Sequence, residues 1–288
     1  MKNTHAHSAL RKIVFLIESL SSAELLSRPL MELWMSGYEA ERIPIEQIMT
    51  QLSENNMVSP QTFLIVTDRA DIAKCSMQHG FAVIGYLHDQ NKDASFDGIR
   101  YLIEDISGLD ARFCELAFCR AHGFPFTVLE TERCLIREIT IEDVTRLYEI
   151  YADPAITSYM ETLYPDEAEE RSYVRDYIEH VYGFYGYGMW VVINKENGQL
   201  IGRAGIEPKE DFAELGYVIA REYQNQGYAT EVCRSILAYA ADCLSLPEIY
   251  AHVHKENAAS LRICEKLKFQ PVPSSEDSDM LLFTLRLN

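Results

Sequence analysis

The stretch that decides the fold is Ala213-Glu214-Leu215-Gly216-Tyr217-Val218-Ile219, followed after four residues by Gln224-Asn225-Gln226-Gly227-Tyr228-Ala229. The first segment is typical of a strand, and the apolar spacing that begins near Thr230 predicts a helix. The loop between them would present several backbone N–H groups in one direction at a helix N-terminus, and Gly227 would let the backbone approach a phosphate closely. The pattern predicts an anion site suited to a pyrophosphate, although a plain turn before a helix has the same local sequence.

A second strand-to-helix junction lies downstream. Residues 248–254 have the pattern of a strand, and Asn257 precedes a predicted helix, where it could be an N-cap or a ligand. Asn197-Gly198 is a strong hairpin turn signal. The remaining elements that we predict around these junctions are strands at 134–139, 189–193, 200–206 and 280–287 and helices at 140–151, 166–182, 230–243 and 258–267.

In this order the segments resemble the GNAT acetyltransferase superfamily, in particular its RimJ/RimL-type branch of ribosomal-protein N-terminal acetyltransferases. The resemblance covers residues 131–288 and rests on matches at 131–138, 214–219, 224–231 and 257–269. It implies an α/β (α+β) fold with a mixed, mostly antiparallel central sheet flanked by helices. It also implies an N-acetyltransferase that uses acetyl-CoA.

The same resemblance implies which residues bind the cofactor. Backbone groups of Val218 and Ile219 would bond the pantetheine arm along a splayed strand edge. Asn257 would contact the cofactor from the late helix, with Ser260 nearby. The loop that Gln224 opens would hold the pyrophosphate through the backbone N–H groups of Asn225, Gln226, Gly227, Tyr228, Ala229 and Thr230.

The implied reaction is direct attack of a neutral amine on the thioester carbonyl. Because an amine is mostly protonated at neutral pH, a base should remove a proton, and Glu214 is the first candidate and Glu207 the second. Either could instead be a solvated strand residue. Many superfamily members have a tyrosine on the late helix that protonates the leaving thiolate, whereas this sequence has Cys264 there. Lys268 replaces a glycine that suits a left-handed helix end, so we expect that end to differ.

The acceptor is predicted to be a small cationic amine or a peptide N-terminus. The net charge of −18 disfavours a nucleic-acid partner and favours a cation, although acidity could serve solubility alone. Eight of the 17 tyrosines lie between Tyr151 and Tyr187, where the superfamily lines its acceptor site. The last hairpin, which also lines it, carries Glu276, Asp277 and Asp279. His252 and His254 share one side of a strand, but with no third ligand in the sequence we predict no metal site.

The first half is predicted to be a separate domain, residues 1–125, which precedes a domain at 126–288 and joins it through a linker at 124–130. Residues 9–55 are predicted to be mainly helical. Buried strands at 63–66, 81–85 and 99–103 then alternate with helices at 70–79 and 109–122, which is typical of a small Rossmann-like parallel sheet.

Residues 63–125 resemble a haloacid-dehalogenase-type domain, with Thr67 at the place of that family's phosphate-binding residue. The nucleophilic Asp-x-Asp-x-Thr loop of that family is not found upstream. We therefore expect a degenerate domain for dimerisation, substrate capture or regulation, and a phosphatase fused to the acetyltransferase is an open alternative.

Composition places the chain among globular proteins, with 48% hydrophobic and 24% charged residues. No apolar run reaches the roughly 18–20 residues of a membrane span. The short run at 13–17 leads into Glu18 without a cleavage site, so we expect no signal peptide. The seven cysteines lack zinc-type spacing and suit a reduced, cytoplasmic protein. The sequence thus predicts a cytoplasmic acetyltransferase that could form a homodimer. A non-catalytic acetyl-CoA sensor coupled to the first domain is the alternative.

Overall fold

The computed structural model describes residues 9–19, 25–46, 59–160, 162–273 and 279–287. The chain divides into two compact units, Met1–Phe126 and Thr127–Asn288. Within the described residues, each unit is built on a sheet of its own, with five strands in the first and eight in the second. None of the described helices combines the length and apolar character that a membrane crossing requires.

The first unit has a parallel sheet with the strand order β2-β1-β3-β4-β5. Long apolar runs form its central strands, as expected for a parallel sheet, and two of the helices pack on β4. This confirms the predicted small parallel α/β sheet. The strands are β1 (Lys12–Leu16), β2 (Glu39–Arg42), β3 (Phe63–Thr67), β4 (Ala82–Tyr86) and β5 (Tyr101–Ile103), and the helices are α1 (Ser27–Met35), α2 (Ala70–Gln78) and α3 (Ala111–Ala121).

The predicted helical character of residues 9–55 is wrong at its start. The apolar run after Lys12 forms β1, and Ile13, Val14, Phe15 and Leu16 are each 0% exposed. The run is apolar throughout because β1 is a central strand, with β2 on one side and β3 on the other, and a parallel sheet is covered on both faces. Among the described residues of this stretch, α1 is the one complete helix. Residues 45 and 46 have helical backbone where the helix after Ile43 is predicted, and the rest of that prediction lies outside the described ranges.

Asp68 joins the carboxyl ends of the central strands in the first unit. Its buried carboxylate accepts hydrogen bonds from the backbone N–H groups of Glu18 (2.9 Å) and Ser19 (3.0 Å) and lies 3.3 Å from Nε2 of His88. The neighbouring Thr67 hydroxyl is also buried and donates to the Leu16 carbonyl oxygen at 2.8 Å. Both side chains are thus engaged in holding the loops together.

The second unit has a sheet with the order β12-β13-β11-β10-β9-β8-β7-β6, in which only β10 and β11 run parallel. This confirms the mixed, mostly antiparallel sheet. The strands are β6 (Thr127–Glu130), β7 (Cys134–Arg137), β8 (Met189–Asn194), β9 (Leu200–Pro208), β10 (Ala213–Ile219), β11 (Glu248–His254), β12 (Gln270–Val272) and β13 (Met280–Arg286).

Helices flank this sheet. The linker predicted at 124–130 is wrong, because Thr127–Glu130 is the edge strand β6 and pairs with β7. The helix Glu167–Asp176 continues into a π-helical turn, Tyr177–Tyr182. The helices are α4 (Asp143–Tyr151), α5 (Pro154–Thr157), α6 (Glu167–Asp176), α7 (Tyr228–Asp242) and α8 (Ala258–Lys266).

The two parallel strands β10 and β11 separate almost at once. Each has seven residues, yet they pair only at Glu214 and Tyr250. On its other side, β10 pairs with β9 along its whole length. The edge of β10 that faces β11 is therefore open from Gly216 to Ile219.

Replacing Asp68 with alanine should destabilise the first unit without affecting the second. The backbone donors of Glu18 and Ser19 would lose a charged acceptor, and the loss of a hydrogen bond to a charged group costs about 1.5–3 kcal/mol. We expect a lower melting temperature and an unchanged rate of the acetyl transfer that the resemblance implies. Asp71→Ala is the control, since its exposed ion pair with Arg69 contributes less than about 1 kcal/mol. Phosphatase activity abolished by Asp68→Ala would contradict a non-catalytic first unit.

Candidate active site

The loop between β10 and α7 has two residues in the left-handed region. Asn225 has φ 59° and Gly227 has φ 86°, a conformation that glycine adopts freely and asparagine tolerates. Nε2 of Gln224 donates to the Ile219 carbonyl oxygen at 2.8 Å, and Nε2 of Gln226 donates to the carbonyl oxygen of Glu222 at the same distance. These bonds tie the loop to the end of β10.

The loop leads directly into the first turn of α7, which begins at Tyr228. The first N–H groups of a helix have no intrahelical partner, so those of Tyr228, Ala229 and Thr230 are available to an anion. The first intrahelical bond runs from the Glu231 N–H group to the Gly227 carbonyl oxygen (3.0 Å). The predicted loop residues therefore lie together at one helix N-terminus.

Arg133 fixes this loop from the side, a role that the sequence did not reveal. Its Nη1 donates to the Gln226 carbonyl oxygen at 3.0 Å, and its guanidinium lies 4.1 Å from the centre of the Tyr228 ring. Its Nη2 lies 2.6 Å from Oε2 of Glu231, which also accepts through Oε1 from the Thr131 hydroxyl. The sequence separation of 98 between Arg133 and Glu231 leaves no local signal for this contact.

The open edge of β10 faces the start of α8. Val218 and Ile219 lie on this edge, and both side chains are buried. Oδ1 of Asn257 accepts the Ser260 N–H group at 3.0 Å, so Asn257 is the N-cap of α8. Its amide nitrogen can still donate to a ligand. The site therefore combines an unpaired strand edge with two helix N-termini.

The two candidate bases stand directly opposite each other on β9 and β10. Oε1 of Glu214 lies 2.9 Å from Nδ1 of His252 and accepts its backbone N–H group at 3.2 Å. Glu207 instead forms an ion pair with Lys209 at 2.8 Å, and its side chain is 39% exposed against 19% for Glu214. Glu214 is thus the more shielded carboxylate, at the point where β10 and β11 separate.

The late helix, α8, places Cys264 in the interior. Burial raises the pKa of its thiol to about 11, so the thiol is protonated at neutral pH. Tyr217 projects toward the same side of the sheet; its hydroxyl is buried, and burial raises its pKa. The expectation that Lys268 alters the helix end is wrong, because Lys268 itself adopts the left-handed conformation with φ 66°. The Phe269 N–H group closes the turn on the Cys264 carbonyl oxygen at 2.9 Å.

The tyrosine-rich segment divides into structural and accessible residues. Tyr177 and Tyr182 are buried in the π-helical turn, and the Tyr177 hydroxyl accepts the Met189 N–H group at 2.8 Å. Tyr159 is more exposed, and its ring centre lies 5.0 Å from that of His254 on β11. In the last hairpin, Asp279 forms an ion pair with Lys255, whereas residues 276 and 277 lie outside the described ranges.

A guanidinium that the sequence reasoning overlooked is buried behind these tyrosines. Arg203 on β9 is 9% exposed, and Tyr151, Tyr177 and Tyr182 surround its charge. Its apolar neighbours in sequence gave no sign of a buried charge. Tyr173 also lies near the Arg203 guanidinium, so four tyrosine rings help to shield this charge from water.

Two glycines lie side by side next to the carboxylate pair. Gly205 and Gly216 are in register, on the sheet face that carries Glu207 and Glu214. A Cβ atom on Gly205 would lie 2.1 Å from the Gly188 carbonyl oxygen, so no side chain fits there without moving the backbone. A Cβ atom on Gly216 would lie 3.2 Å from the Met189 sulfur.

Acid should weaken the contact between Arg133 and Glu231. Burial acts to raise the pKa of Glu231, but hydrogen bonds from Thr131 and Arg133 outweigh it and lower the pKa below its ordinary value. The pair therefore stabilises the fold above the unfolded pKa of about 4.3, and this contribution is lost as the pH falls through the folded pKa. We expect Glu231→Gln to flatten the acid side of a plot of melting temperature against pH. Glu132→Gln, an exposed neighbour, is the control; a Glu231→Gln plot parallel to that of the parent would contradict the assignment.

Comparisons with known proteins bear on the second unit. The family model described as "Acetyltransferase (GNAT) domain" matches residues 133–270. The uncharacterized N-acetyltransferase p20 of Bacillus licheniformis is 31% identical over 149 residues, which are 49% of this chain and 82% of p20. The uncharacterized N-acetyltransferase YoaA of Bacillus subtilis is 28% identical, over 50% of this chain and 84% of YoaA.

Among solved structures, ribosomal-protein-S5-alanine acetyltransferase from Vibrio fischeri aligns with a TM-score of 0.48 and 15% identity. The alignment covers 56% of this chain and 96% of that one. The family match falls on the unit that contains the loop, the open strand edge and Glu214. The chain therefore belongs to the GNAT family of acetyltransferases, enzymes that transfer an acetyl group from acetyl-CoA.

Proposed function

We propose that the second unit acetylates the primary amine of a small cationic molecule or of a peptide N-terminus by direct attack on the thioester. The observation that carries this proposal is the place of Glu214. Its shielded carboxylate stands where β10 and β11 separate, beside the open strand edge. A base at that point can take a proton from an amine that approaches a thioester lying along the edge.

The residues present fit acetyl-CoA, which supplies the activated carbonyl group when bound. The open edge of β10 at Val218 and Ile219 would face an amide-bearing arm; at Ile219 the group offered would be the N–H, because its carbonyl oxygen already accepts Nε2 of Gln224. The N–H groups of residues 225–230 offer donors to the pyrophosphate. Asn257 and Ser260 lie at the start of α8, where they would line the other side of the arm.

A surface groove of about 520 Å³ beside the loop extends this site. Arg234 and Lys266 bring positive charge to it, which suits phosphate groups, and of the two carboxylates in its lining Glu231 is already paired with Arg133. The groove is lined by Thr131, Glu132, Gly227, Thr230, Glu231, Arg234, Ser235 and Lys266. We assign it to the phosphate-bearing end of acetyl-CoA.

The surroundings of Glu214 and Cys264 suit them to accept one proton and to donate another. Glu214 would take the proton that the amine must lose before its lone pair can attack the carbonyl carbon. Cys264 is the candidate donor to the departing thiolate, because its buried thiol stays protonated at neutral pH. Glu207 is the weaker candidate base, since Lys209 already neutralises its exposed carboxylate.

The acidic surface and the exposed tyrosine near β11 favour a cationic acceptor. Opposite charge raises the local concentration of a ligand, and an aromatic face attracts an ammonium group. Tyr159 lies against His254, which follows His252 by two residues on β11. We therefore place the acceptor between this ring and Glu214.

We propose that residues 1–125 form a non-catalytic domain used for dimerisation, substrate capture or regulation. This proposal is supported by the hydrogen bonds of Thr67 and Asp68. Both side chains are buried and bonded to neighbouring backbone.

Thiol release from acetyl-CoA should separate an enzyme from a sensor. We expect release with at least one member of a panel of polyamines, aminoglycosides, small amines and peptide N-termini. Isothermal titration would measure acetyl-CoA binding in parallel. Tight binding without release for any acceptor would favour the non-catalytic sensor.

Glu214→Gln should reduce kcat about 10²- to 10⁴-fold, the usual contribution of a general base, without weakening acetyl-CoA binding. The amide keeps the size of the carboxylate but cannot take a proton. Glu207→Gln is the matched control on the neighbouring strand and should keep kcat within about 3-fold, because a Brønsted base that is already ion-paired at the surface contributes little. Equal losses in both variants would contradict the assignment of the base.

Gly227→Ala should weaken acetyl-CoA binding through the backbone. The nearest atom to an added Cβ is 3.5 Å away, so space is sufficient, but φ 86° costs a residue with a side chain about 1–2 kcal/mol. Gly198→Ala is the control, because it introduces similar strain at φ 72° in the β8–β9 turn. Both variants should melt at lower temperature, and only Gly227→Ala should raise the Kd for acetyl-CoA. Equal Kd values in the two variants would argue against the loop as the pyrophosphate site.

A further inference from the structure

His252 makes two contacts with one oxygen of Glu214. Its ring nitrogen Nδ1 lies 2.9 Å from Oε1, and its backbone N–H group donates to the same atom at 3.2 Å. A carboxylate held twice through Oε1 has a fixed orientation. None of the described residues bonds Oε2, which is therefore the oxygen that an incoming amine can meet.

The ring of His252 is itself held in place. Its centre lies 6.0 Å from that of Phe212, which precedes β10. Its register partner on β13 is Leu282, which carries no charge. The ring side chain is 36% exposed, so protons from solvent reach it.

We propose that His252 is a positioning residue for Glu214 and that its charge state limits acetyl transfer at acid pH. This inference rests on the proposed role of Glu214 as the base. A neutral ring donates Nδ1–H to Oε1 and leaves Glu214 its full negative charge. A protonated ring forms an ion pair with it, which stabilises the carboxylate and makes it a poorer proton acceptor.

The proton balance is simple in the active form. An N–H bond of the substrate ammonium breaks and an O–H bond forms at Oε2 of Glu214. The electron pair left on nitrogen attacks the thioester carbonyl carbon, and the proton on Oε2 later passes to water. The protonated form of His252 opposes the first step, and its positive charge also repels a cationic acceptor.

Other charged groups near this pair are already matched or lie apart from the ring. Lys209 pairs with Glu207, which stands opposite Glu214. His254 on the same strand contacts Tyr159 instead. The remaining ionisable residues on the adjoining turn and strands are Arg203 on β9, Glu210 and Asp211 in the turn, Tyr217 on β10, Glu248 and Tyr250 on β11, and Arg286 on β13. Of these, Tyr250 donates to Glu248 at 2.8 Å, and Arg286 lies 3.9 Å from the Glu248 carboxylate.

The variant His252→Asn separates hydrogen-bond donation by the side chain from its ability to gain a charge. Its amide nitrogen stands near the place of Nδ1 and can donate to Glu214, but it does not titrate. We expect His252→Asn to keep kcat/KM within about 3-fold of the parent at pH 8 and to exceed the parent about 5-fold at pH 5.5, because an imidazole can gain a proton in acid and the asparagine amide stays neutral. His252→Phe keeps the ring contact with Phe212 and removes the donor, so it should lower kcat about 10-fold at pH 8, in the range of a lost orienting hydrogen bond to a charged group.

The measurement is the ratio of kcat/KM between variant and parent from pH 5.5 to 8, with the panel amine that releases thiol fastest. Protonation of the acceptor affects both proteins equally and cancels in this ratio. His254→Asn is the matched control two residues along β11, and its ratio should not change with pH. Melting temperatures measured across the same range exclude unfolding as the cause.

The outcomes distinguish this inference from the function on which it rests. A pH-independent ratio for His252→Asn would overturn the inference, even if Glu214→Gln is inactive. Full activity of Glu214→Gln would remove Glu214 as the base and the role of His252 with it. Thiol release by no amine at all would overturn both.

Discussion

The rest of the second unit depends on the failure of two parallel strands to stay paired. Backbone N–H and C=O groups need partners, and a strand that loses its neighbour must find them in water or in a ligand. β10 and β11 pair at one residue and then part. In the function that we propose, the open edge binds the amide groups of the cofactor, the loop after β10 binds its phosphates, and Glu214 lies where the two strands separate. The site is thus a gap in a sheet, bordered by two helix N-termini.

The elements that create this gap could be predicted from the sequence because their signals are local. A strand, a glycine loop and a helix follow one another within 30 residues, and the N-cap role of Asn257 depends only on its own helix. The contacts that refine the site could not be predicted, because they depend on how elements distant in sequence pack. Arg133, just before β7, meets Glu231 on the helix α7. His252 on β11 meets Glu214 on β10 only once these two strands lie side by side.

In the first unit, local sequence predicted a helix where the structure has the strand β1. The run that starts at Ile13 has no periodicity of its own, so nothing local distinguishes a buried strand from part of a helix. Only the parallel neighbours β2 and β3, which lie far along the chain, decide the matter. Similarly, Thr67 stands at the end of a buried strand as a phosphate-binding residue would. Its hydroxyl instead donates a hydrogen bond to the Leu16 carbonyl oxygen on β1.

The glycine pair beside Glu214 limits how the acceptor range of such an enzyme can evolve. The backbone of Gly188 leaves no room for a side chain on Gly205, so this part of the sheet stays bare whatever substrate is selected. New specificity must then come from the opposing wall, where tyrosines on helices and loops can be exchanged one at a time. At the acceptor site that we propose, backbone geometry would therefore hold the sheet surface constant, whereas the side chains of the helices above it could change.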